Sequence, residues 1–416
     1  MSYLSQNDPE AFDIIESERR RQQNTLELIA SENHASPGVL EASGSVLSDK
    51  YAEGWPQRRY YRGCEEVDRA ELLAIDRACR LFGAEHANVQ PHSGTSANIA
   101  VYMAALTPGA SIMGMDLAHG GHLSHGMPIN YSGIYYQVHS YTVEPGSERL
   151  DMEAIRRLAR QHQPRMIIAG ASAYPRVLDF AAFGEIAREV GALLLADIAH
   201  IAGLVAGGMH PSPVPHADFV TTTTHKTLRG SRGAMILCKA AYAKKVDSAV
   251  FPGLQGGPFM HEILGKAVAL NEALQPSFRE YARQIVANAR ALADTLMQRG
   301  WRLVSGGTDN HLMLLDLRGR LPELTGDRAS GWLAGAGLVA NMNKIPFDPR
   351  PPAHPSGLRF GTPAVTTRGM TEPHMRQIGL WIDEVLCSDG EESAIEKVKV
   401  QVQDLCAQFP VPNQVQ

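Results

Sequence analysis

The chain predicts an α/β fold, with a mostly parallel sheet covered by helices in a large domain and a smaller C-terminal α+β domain. Two patterns carry the prediction. Between Ser111 and Asp197 short apolar runs alternate with helical periods, the signature of a parallel sheet buried on both faces. From Arg302 onward the order changes to short strands, Arg302 to Val304, His311 to Leu317 and Leu358 to Phe360, followed by two helices. The expected divisions are an N-terminal arm over 1–35, a large domain over 36–275 and a small domain over 276–416.

Composition narrows the class of partner. The 416 residues, 44% hydrophobic and 20% charged, suffice for two or three cores of ordinary domain size. A net charge of -5 offers no basic footprint for nucleic acid. The longest apolar stretches, such as Gly191 to Ala196, fall far short of the ~20 residues that cross a bilayer, so no membrane partner is expected. Met1-Ser2-Tyr3 opens without a basic-then-apolar signal, which makes a cytoplasmic location the expectation. Five cysteines, Cys64, Cys79, Cys238, Cys387 and Cys406, form no CxxC pair and are expected to be reduced thiols rather than disulfides or metal ligands.

In chain order, Asp8 to Gln23 is polar with a few apolar anchors, an amphipathic arm suited to packing on a partner subunit. Leu26 to His34 sets apolar residues against Ser, Glu and Asn, as a loop feeding polar groups into a pocket. Lys50 to Glu65 crowds four aromatics, acidic groups and three arginines into one irregular stretch, a mixture that points to function. Val67 to Gly83 has a helical period. Ala87 to Pro91 follows as a short strand, and His92-Ser93-Gly94-Thr95-Ser96 opens the helix Ile99 to Leu106. Hydroxyls and free N–H groups at a helix N-terminus make a phosphate cradle, although Ser and Thr also cap ordinary helices.

Strands Ser111 to Asp116, Tyr135 to Ser140, Met166 to Ser172 and Ala192 to Asp197 follow, with helices Met152 to His162 and Phe183 to Val190 between them. Sites in such sheets lie beyond the carboxyl ends of the strands, which nominates His119 to His122, Ser172, Asp197, His200 and Lys226. The run Phe219 to Thr224 enters a turn and Ala234 to Leu237 leaves it, so Lys226 is held between two strands. A lysine so placed can form an imine with a carbonyl compound such as pyridoxal phosphate. Asp197 ends an apolar run and needs a partner, because an ionised group buried alone is costly; a protonated pyridine nitrogen would serve, and capping the next helix is the plainer alternative. Helical periods over Met260 to Leu274 and Phe278 to Arg299 then link to the small domain, where Ile345 to Ser356 has no period and helices Glu372 to Val385 and Glu392 to Phe409 close the chain.

Several longer motifs carry a family resemblance. They are Leu28-Ile29-Ala30-Ser31-Glu32-Asn33, Lys50-Tyr51-Ala52-Glu53-Gly54, Leu117-Ala118-His119-Gly120-Gly121-His122-Leu123, Ala196-Asp197-Ile198-Ala199-His200, Thr221 to Gly230, Gln255-Gly256-Gly257-Pro258, Ser305 to His311 and Arg359-Phe360-Gly361-Thr362-Pro363. The chain resembles serine hydroxymethyltransferases, fold-type I pyridoxal-phosphate enzymes that use tetrahydrofolate as co-substrate. The resemblance implies Lys226 as the imine-forming lysine, Asp197 at the pyridine nitrogen, His122 over the ring, and Ser172 and His200 at its phenolic oxygen. It also implies Ser93, Gly94 and Thr95 at the phosphate, with Tyr51 and the Gly256-Gly257 pair reaching it from the neighbouring subunit of a homodimer or tetramer. Arg359, Ser31, His200, Tyr61 and Glu53 would meet the amino acid, and Glu53 would be the acid–base carboxylate. His225 precedes the lysine as in the family pattern and is counted with Lys226, Glu53, Asp197 and His122 as catalytic. Glu53, Tyr60, Leu117, Gly121, Leu123 and Asn343 would form the folate side, and no metal is implied.

The implied reaction moves a one-carbon unit between serine and tetrahydrofolate. Departures from the family pattern at His34, Trp55, Arg62, Leu254, Met342 and Pro351 to His354 leave two alternatives: a 2-methylserine hydroxymethyltransferase, or a folate-independent aldolase acting on β-hydroxy amino acids.

Overall fold

A computed structural model describes residues 3–414. Its main sheet has seven strands, in the spatial order His86–Asn88, Ala234–Cys238, Phe219–Thr223, Leu193–Asp197, Met166–Gly170, Ser111–Met115 and Gln137–Tyr141. The pairs from Gln137–Tyr141 through to Phe219–Thr223 are parallel. Ala234–Cys238 runs antiparallel to both its neighbours. The reason is local: a short irregular turn, with no crossover helix, joins it to Phe219–Thr223, and only a crossover could return the chain parallel. The strands are apolar on both faces, with Ile112, Met113, Ile167, Ile168, Leu194 and Leu195 all buried, because helices cover both sides.

The predicted helices form with small shifts of their ends. Glu65–Phe82 ends at Gly83 in the left-handed region (φ 68°), which glycine tolerates at little cost. Phe180–Val190 begins three residues before the apolar period does, because the Asp179 side chain accepts from the Ala182 N–H and so satisfies the first turn. The strand expected from Tyr135 begins at Gln137, since Tyr131–Tyr135 is a short helix capped by Asn130.

A second core surrounds a four-stranded antiparallel sheet in the order Arg302–Leu303, Leu312–Asp316, Gly357–Gly361 and Asn341–Asn343. The helix Pro276–Gln298 serves both cores. Phe278, Ala282 and Ile285 pack in the first, while Ala289, Leu292 and Leu296 pack in the second. The loop expected at Leu26 begins as a strand, Leu26–Glu27, paired in parallel with Leu338–Val339, so Leu26 and Leu28 anchor the N-terminal segment in the second core. Ahead of it the helix Pro9–Asn24 buries no residue completely and leaves Ile14 and Ile15 exposed. Among the described residues no helix is long and apolar enough to cross a membrane.

The two cores meet along the segment after Met166–Gly170. Pro175 O accepts from Asp309 N at 2.8 Å, Tyr174 O accepts from Asn310 Nδ2 at 3.0 Å, and Arg176 Nη1 pairs with Asp309 at 2.9 Å. Gly170 lies opposite Asp197 in the sheet register, and a Cβ there would stand 2.4 Å from Asp197 O and 2.9 Å from its Cβ. Gly170→Ala should therefore destabilise the protein by about 1–3 kcal/mol, the usual cost of overpacking, as measured by urea unfolding. An unchanged midpoint would show that the two strands can separate locally.

Candidate active site

The carboxyl ends of Met166–Gly170, Leu193–Asp197 and Phe219–Thr223 open into one small pocket. It is lined by Gly94, His122, His125, Ala171, Ser172, Asp197, Ala199, His200, Thr223 and Lys226. Its floor is Asp197. One carboxylate oxygen, Oδ2, accepts from Asn98 Nδ2 at 2.9 Å and lies 3.0 Å from His125 Nε2, while Oδ1 accepts from the Ala199 N–H at 3.0 Å. His125 Nδ1 accepts from the His122 N–H at 3.4 Å, which leaves the proton on Nε2 to be donated to Asp197. Burial alone raises the aspartate's pKa, but the hydrogen bonds from His125 and Asn98 outweigh it and hold the carboxyl well below the usual range. Asp197 does not cap the next helix, Ala202–Ala206, whose N-cap is Ile201; it braces the backbone after its strand through the Ala199 N–H and keeps a negative charge in the pocket.

Lys226 stands opposite, on the turn between Phe219–Thr223 and Ala234–Cys238. Hydrogen bonds within the turn set its path. Thr224 N donates to Gly233 O, Gly230 N donates to Thr224 O, and the Thr227 hydroxyl donates to His200 O while accepting from Gly203 N. The lysine carbonyl accepts from Asn33 Nδ2 at 3.0 Å. Burial lowers its pKa to about 8, helped by the charges of Arg359 and Arg232 and opposed by Asp197. A neutral amine is thus accessible near neutral pH, as imine chemistry requires.

His122 and His200 are held neutral. Burial, then the neighbouring His125, brings His122 down to about 4; its Nδ1 takes the Ser124 N–H at 3.2 Å and lies 2.7 Å from the Ser124 hydroxyl. Burial, then Lys226 and Arg359, holds His200 well below its ordinary value. Its Nδ1 lies 3.3 Å from His311 Nε2. At the other end, Ser93 caps the helix Gly94–Ala105 through Ser96 N. A Cβ on Gly94 would come within 2.9 Å of Thr223 Cγ2, so the helix approaches the lysine strand as closely as a glycine allows.

Arg359 comes from the middle of Gly357–Gly361 in the second core. It is 9% exposed, and its hydrogen bonds go to neutral oxygens: Asn341 Oδ1 at 3.0 Å, Ser172 O at 2.8 Å and, more distantly, Ser31 Oγ at 3.4 Å. A guanidinium buried without a carboxylate partner is costly, and an incoming carboxylate would complete it with a bidentate pair. Burial lowers its pKa to about 10, which still leaves it charged. Beside this end of the pocket an open cleft of ≈ 490 Å³ is lined by Leu117, Gly121, His122, Leu123, Ser172, Met342, Asn343 and Pro352. Its lip is tied to the pocket, because Ser172 N donates to Gly120 O at 2.8 Å.

Other sequence-predicted residues lie apart from the pocket in this chain. Tyr51, Tyr60 and Tyr61 form an exposed aromatic patch, Tyr51 and Tyr61 edge to face at 5.2 Å. Glu53 and the Gly256-Gly257 pair adjoin that patch: a Cβ on Gly256 would lie 3.2 Å from Glu53 Oε1, and one on Gly257 would lie 3.1 Å from Tyr51 Cζ. His225 lines a different cleft, with Ser31, Arg232 and Glu262. Sequence reasoning missed His125 and Asn98, which hold Asp197. His125 lies three residues after His122, a spacing that could have drawn attention to it. Neither His34, Trp55, Arg62 nor Ala353 lines the pocket around Lys226.

The atoms His122, His125 and Asp197 could offer a metal lie within 4.8 Å of one another, but the carboxylate is already engaged by His125 and Asn98. A family model described as serine hydroxymethyltransferase matches residues 4–382. A protein of Synechococcus sp. (strain JA-3-3Ab) named serine hydroxymethyltransferase is 57% identical over 422 residues, covering 99% of this chain and 97% of that protein.

The lowered pKa of Lys226 has a direct consequence. Capture of a small aromatic aldehyde at Lys226 in cofactor-free protein, trapped by reduction and located by peptide mass spectrometry, should rise with pH and level off above about pH 8. An ordinary lysine would keep rising past about pH 10.

Proposed function

The chain belongs to the serine hydroxymethyltransferase family, and from that premise we propose how its residues carry out the reaction that interconverts serine and tetrahydrofolate with glycine and 5,10-methylenetetrahydrofolate. The cofactor in this reading is pyridoxal 5'-phosphate. The pocket suits it in three respects: an ionised acceptor on the floor, an amine of lowered pKa on the wall, and a serine-capped helix N-terminus at one end. When bound, pyridoxal phosphate supplies an electron sink for the breaking bond at the substrate α-carbon.

Each residue then has a defined task. Asp197 keeps the pyridine nitrogen protonated, and the His125 and Asn98 hydrogen bonds keep Asp197 ionised. His122, held neutral, would pack against the ring. Ser172 and His200 meet the phenolic oxygen, while Ser93, Gly94 and Thr95 hold the phosphate from the helix N-terminus. Arg359, supported by Ser31, grips the amino-acid carboxylate. Glu53 moves the proton at the substrate β-hydroxyl, with Tyr61 beside it, and the cleft formed by Leu117, Gly121, Leu123 and Asn343 takes tetrahydrofolate, with Tyr60 from the aromatic patch. The observation that carries this reading is Arg359, a buried cation whose hydrogen-bond partners are neutral and whose charge is felt at both Lys226 and His200.

Glu53, Tyr51, Tyr60, Tyr61, Gly256 and Gly257 belong, in this reading, to the site of the neighbouring subunit in a homodimer. The exposure of Tyr51, Tyr60 and Tyr61, at 55%, 74% and 45%, supports it, since a clustered exposed aromatic patch marks an interaction surface. The division into arm, large domain and small domain at 35 and 275 is retained as part of the proposal, as is a reducing, cytoplasmic setting, which the five unpaired thiols support. The α-substituted and folate-independent alternatives are not favoured. His34, Trp55 and Arg62 lie outside the Lys226 pocket wall of this chain, whereas Met342 and Pro352 line the cleft beside it; what disfavours the alternatives is the family match and the 57% identical relative named for serine.

Two measurements test the proposal. Glu53→Gln should keep the visible absorption of the lysine-bound cofactor and lose folate-dependent serine cleavage by about 10²-fold or more, the usual contribution of a general acid–base group; parent-like turnover would remove Glu53 from its role. In a substrate panel with and without tetrahydrofolate, serine should be turned over rapidly only with folate and 2-methylserine hardly at all, and the reverse preference would reinstate the α-substituted alternative.

A further inference from the structure

Lys266 is a buried cation that the chemistry above leaves without a task. It lies on the helix Met260–Ala273 and is 2% exposed. Its ammonium donates to Val89 O at 2.7 Å, Ala234 O at 2.9 Å and Pro91 O at 3.1 Å. All three protons are thus spent on neutral carbonyls. Burying a charge is costly even in a relaxed protein: burial brings the ammonium's pKa down to about 7, opposed by the charges of Glu262 and Glu71, and a methionine would fill the same space without that cost. A role for the charge is the simplest reason to keep it.

The three carbonyls share one feature: each flanks a segment of the cofactor pocket. Val89 and Pro91 end the path from His86–Asn88 to the turn His92-Ser93-Gly94, where the helix Gly94–Ala105 begins. Ala234 begins the strand that leaves the Lys226 turn, and its N–H donates to Pro91 O at 3.0 Å. Gly233, just before it, leaves room for the lysine stem, since a Cβ there would lie 2.4 Å from Lys266 Cε. The charge also reaches the pocket's neighbours, because it helps depress the pKa of both His92 and His225 after the larger effect of burial.

We propose that Lys266 is a positioning residue for the cofactor phosphate: it ties the turn His92-Ser93-Gly94 to the lysine-bearing hairpin and sets a positive charge behind that turn. The proposal rests on the pyridoxal-phosphate reading above and assigns it a residue outside the pocket wall. Its signature is selectivity for the phosphate. A scaffold role alone would weaken every ligand of the pocket equally.

The test uses full-length protein stripped of cofactor, with pyridoxal phosphate and the phosphate-free aldehyde pyridoxal as probes, titrated by visible absorbance. Lys266→Met should weaken pyridoxal phosphate by roughly tenfold or more, the scale of a lost charge-assisted contact, while pyridoxal binding stays within about twofold of the parent. Gly233→Ala, which displaces the lysine stem and keeps the charge, should give the same pattern in weaker form. Equal losses for both probes, or none, would overturn the proposal, and so would failure of both variants to fold by circular dichroism, which would make Lys266 a stability residue. If the parent protein itself binds no pyridoxal phosphate, the cofactor reading fails first; if the parent binds and the variants keep its preference for the phosphate, Lys266 alone is misassigned.

Discussion

The pocket depends on one buried carboxylate being kept ionised. Asp197 ends an apolar strand where a lone negative charge would take up a proton, and the His125 and Asn98 hydrogen bonds prevent this. Asn98 is held in turn by the Thr221 hydroxyl, which donates to its Oδ1 at 2.6 Å, and its Nδ2 also donates to the Ser124 hydroxyl at 2.8 Å. Four segments of the chain therefore converge on a single charge: the phosphate-end helix, the 122–125 turn, the aspartate strand and the lysine strand. A fully satisfied polar network of this kind fixes geometry, and the positions of His122 and Lys226 follow from it.

The single antiparallel strand has a comparable effect on the lysine. Because Ala234–Cys238 returns beside Phe219–Thr223 through a short turn, the turn is braced at both ends by strands and cannot swing as a long crossover would. Arg359 is fixed from the other core, and it reaches the pocket by donating to Ser172 O across the junction. The cofactor pocket is thus built on the sheet, and the carboxylate clamp is built on the second layer. Relative movement of the two cores would change the distance between them, which is a natural way for a two-layer enzyme to grip and release an amino acid.

Much of this was legible in the sequence. Alternating apolar runs announced the sheet, and the strand-end rule selected Ser172, Asp197, His200 and Lys226, all of which line or flank the pocket. Other features had no local signature. Asn98 sits inside a helix whose composition is otherwise unremarkable, and its value comes from contacts with residues 26, 99 and 123 positions away. The strand at Leu26 depends on a partner more than three hundred residues later. His34, Trp55 and Arg62 stand beside motif residues without lining the pocket of this chain, since neighbours in sequence need not be neighbours in space. His34 is buried against the field of Arg368 and Arg21 instead, and Arg62 faces solvent.

The charges of the site also explain the order in which its ligands must matter. Lys226, Arg359 and Lys266 are buried or half-buried cations, and Asp197 is the ionised acid in the pocket, hydrogen-bonded to His125. Glu32 acts on Arg359, and Glu262 and Glu71 act on Lys266, from outside it, while His122 and His200 are neutral. A pocket with that imbalance is poorly satisfied until anions arrive, because buried like charges depress one another's protonation, as Lys226 shows beside Arg359. In the proposed reading, a phosphate at the helix end and a carboxylate at Arg359 would supply negative charge at two separated points. In that reading, the amine of Lys226 stands between Asp197 and the Arg359 clamp, and fixing the substrate at two points would restrict its orientation. Selection of an amino acid with a free carboxylate would then rest on the electrostatic balance of the proposed site more than on its shape.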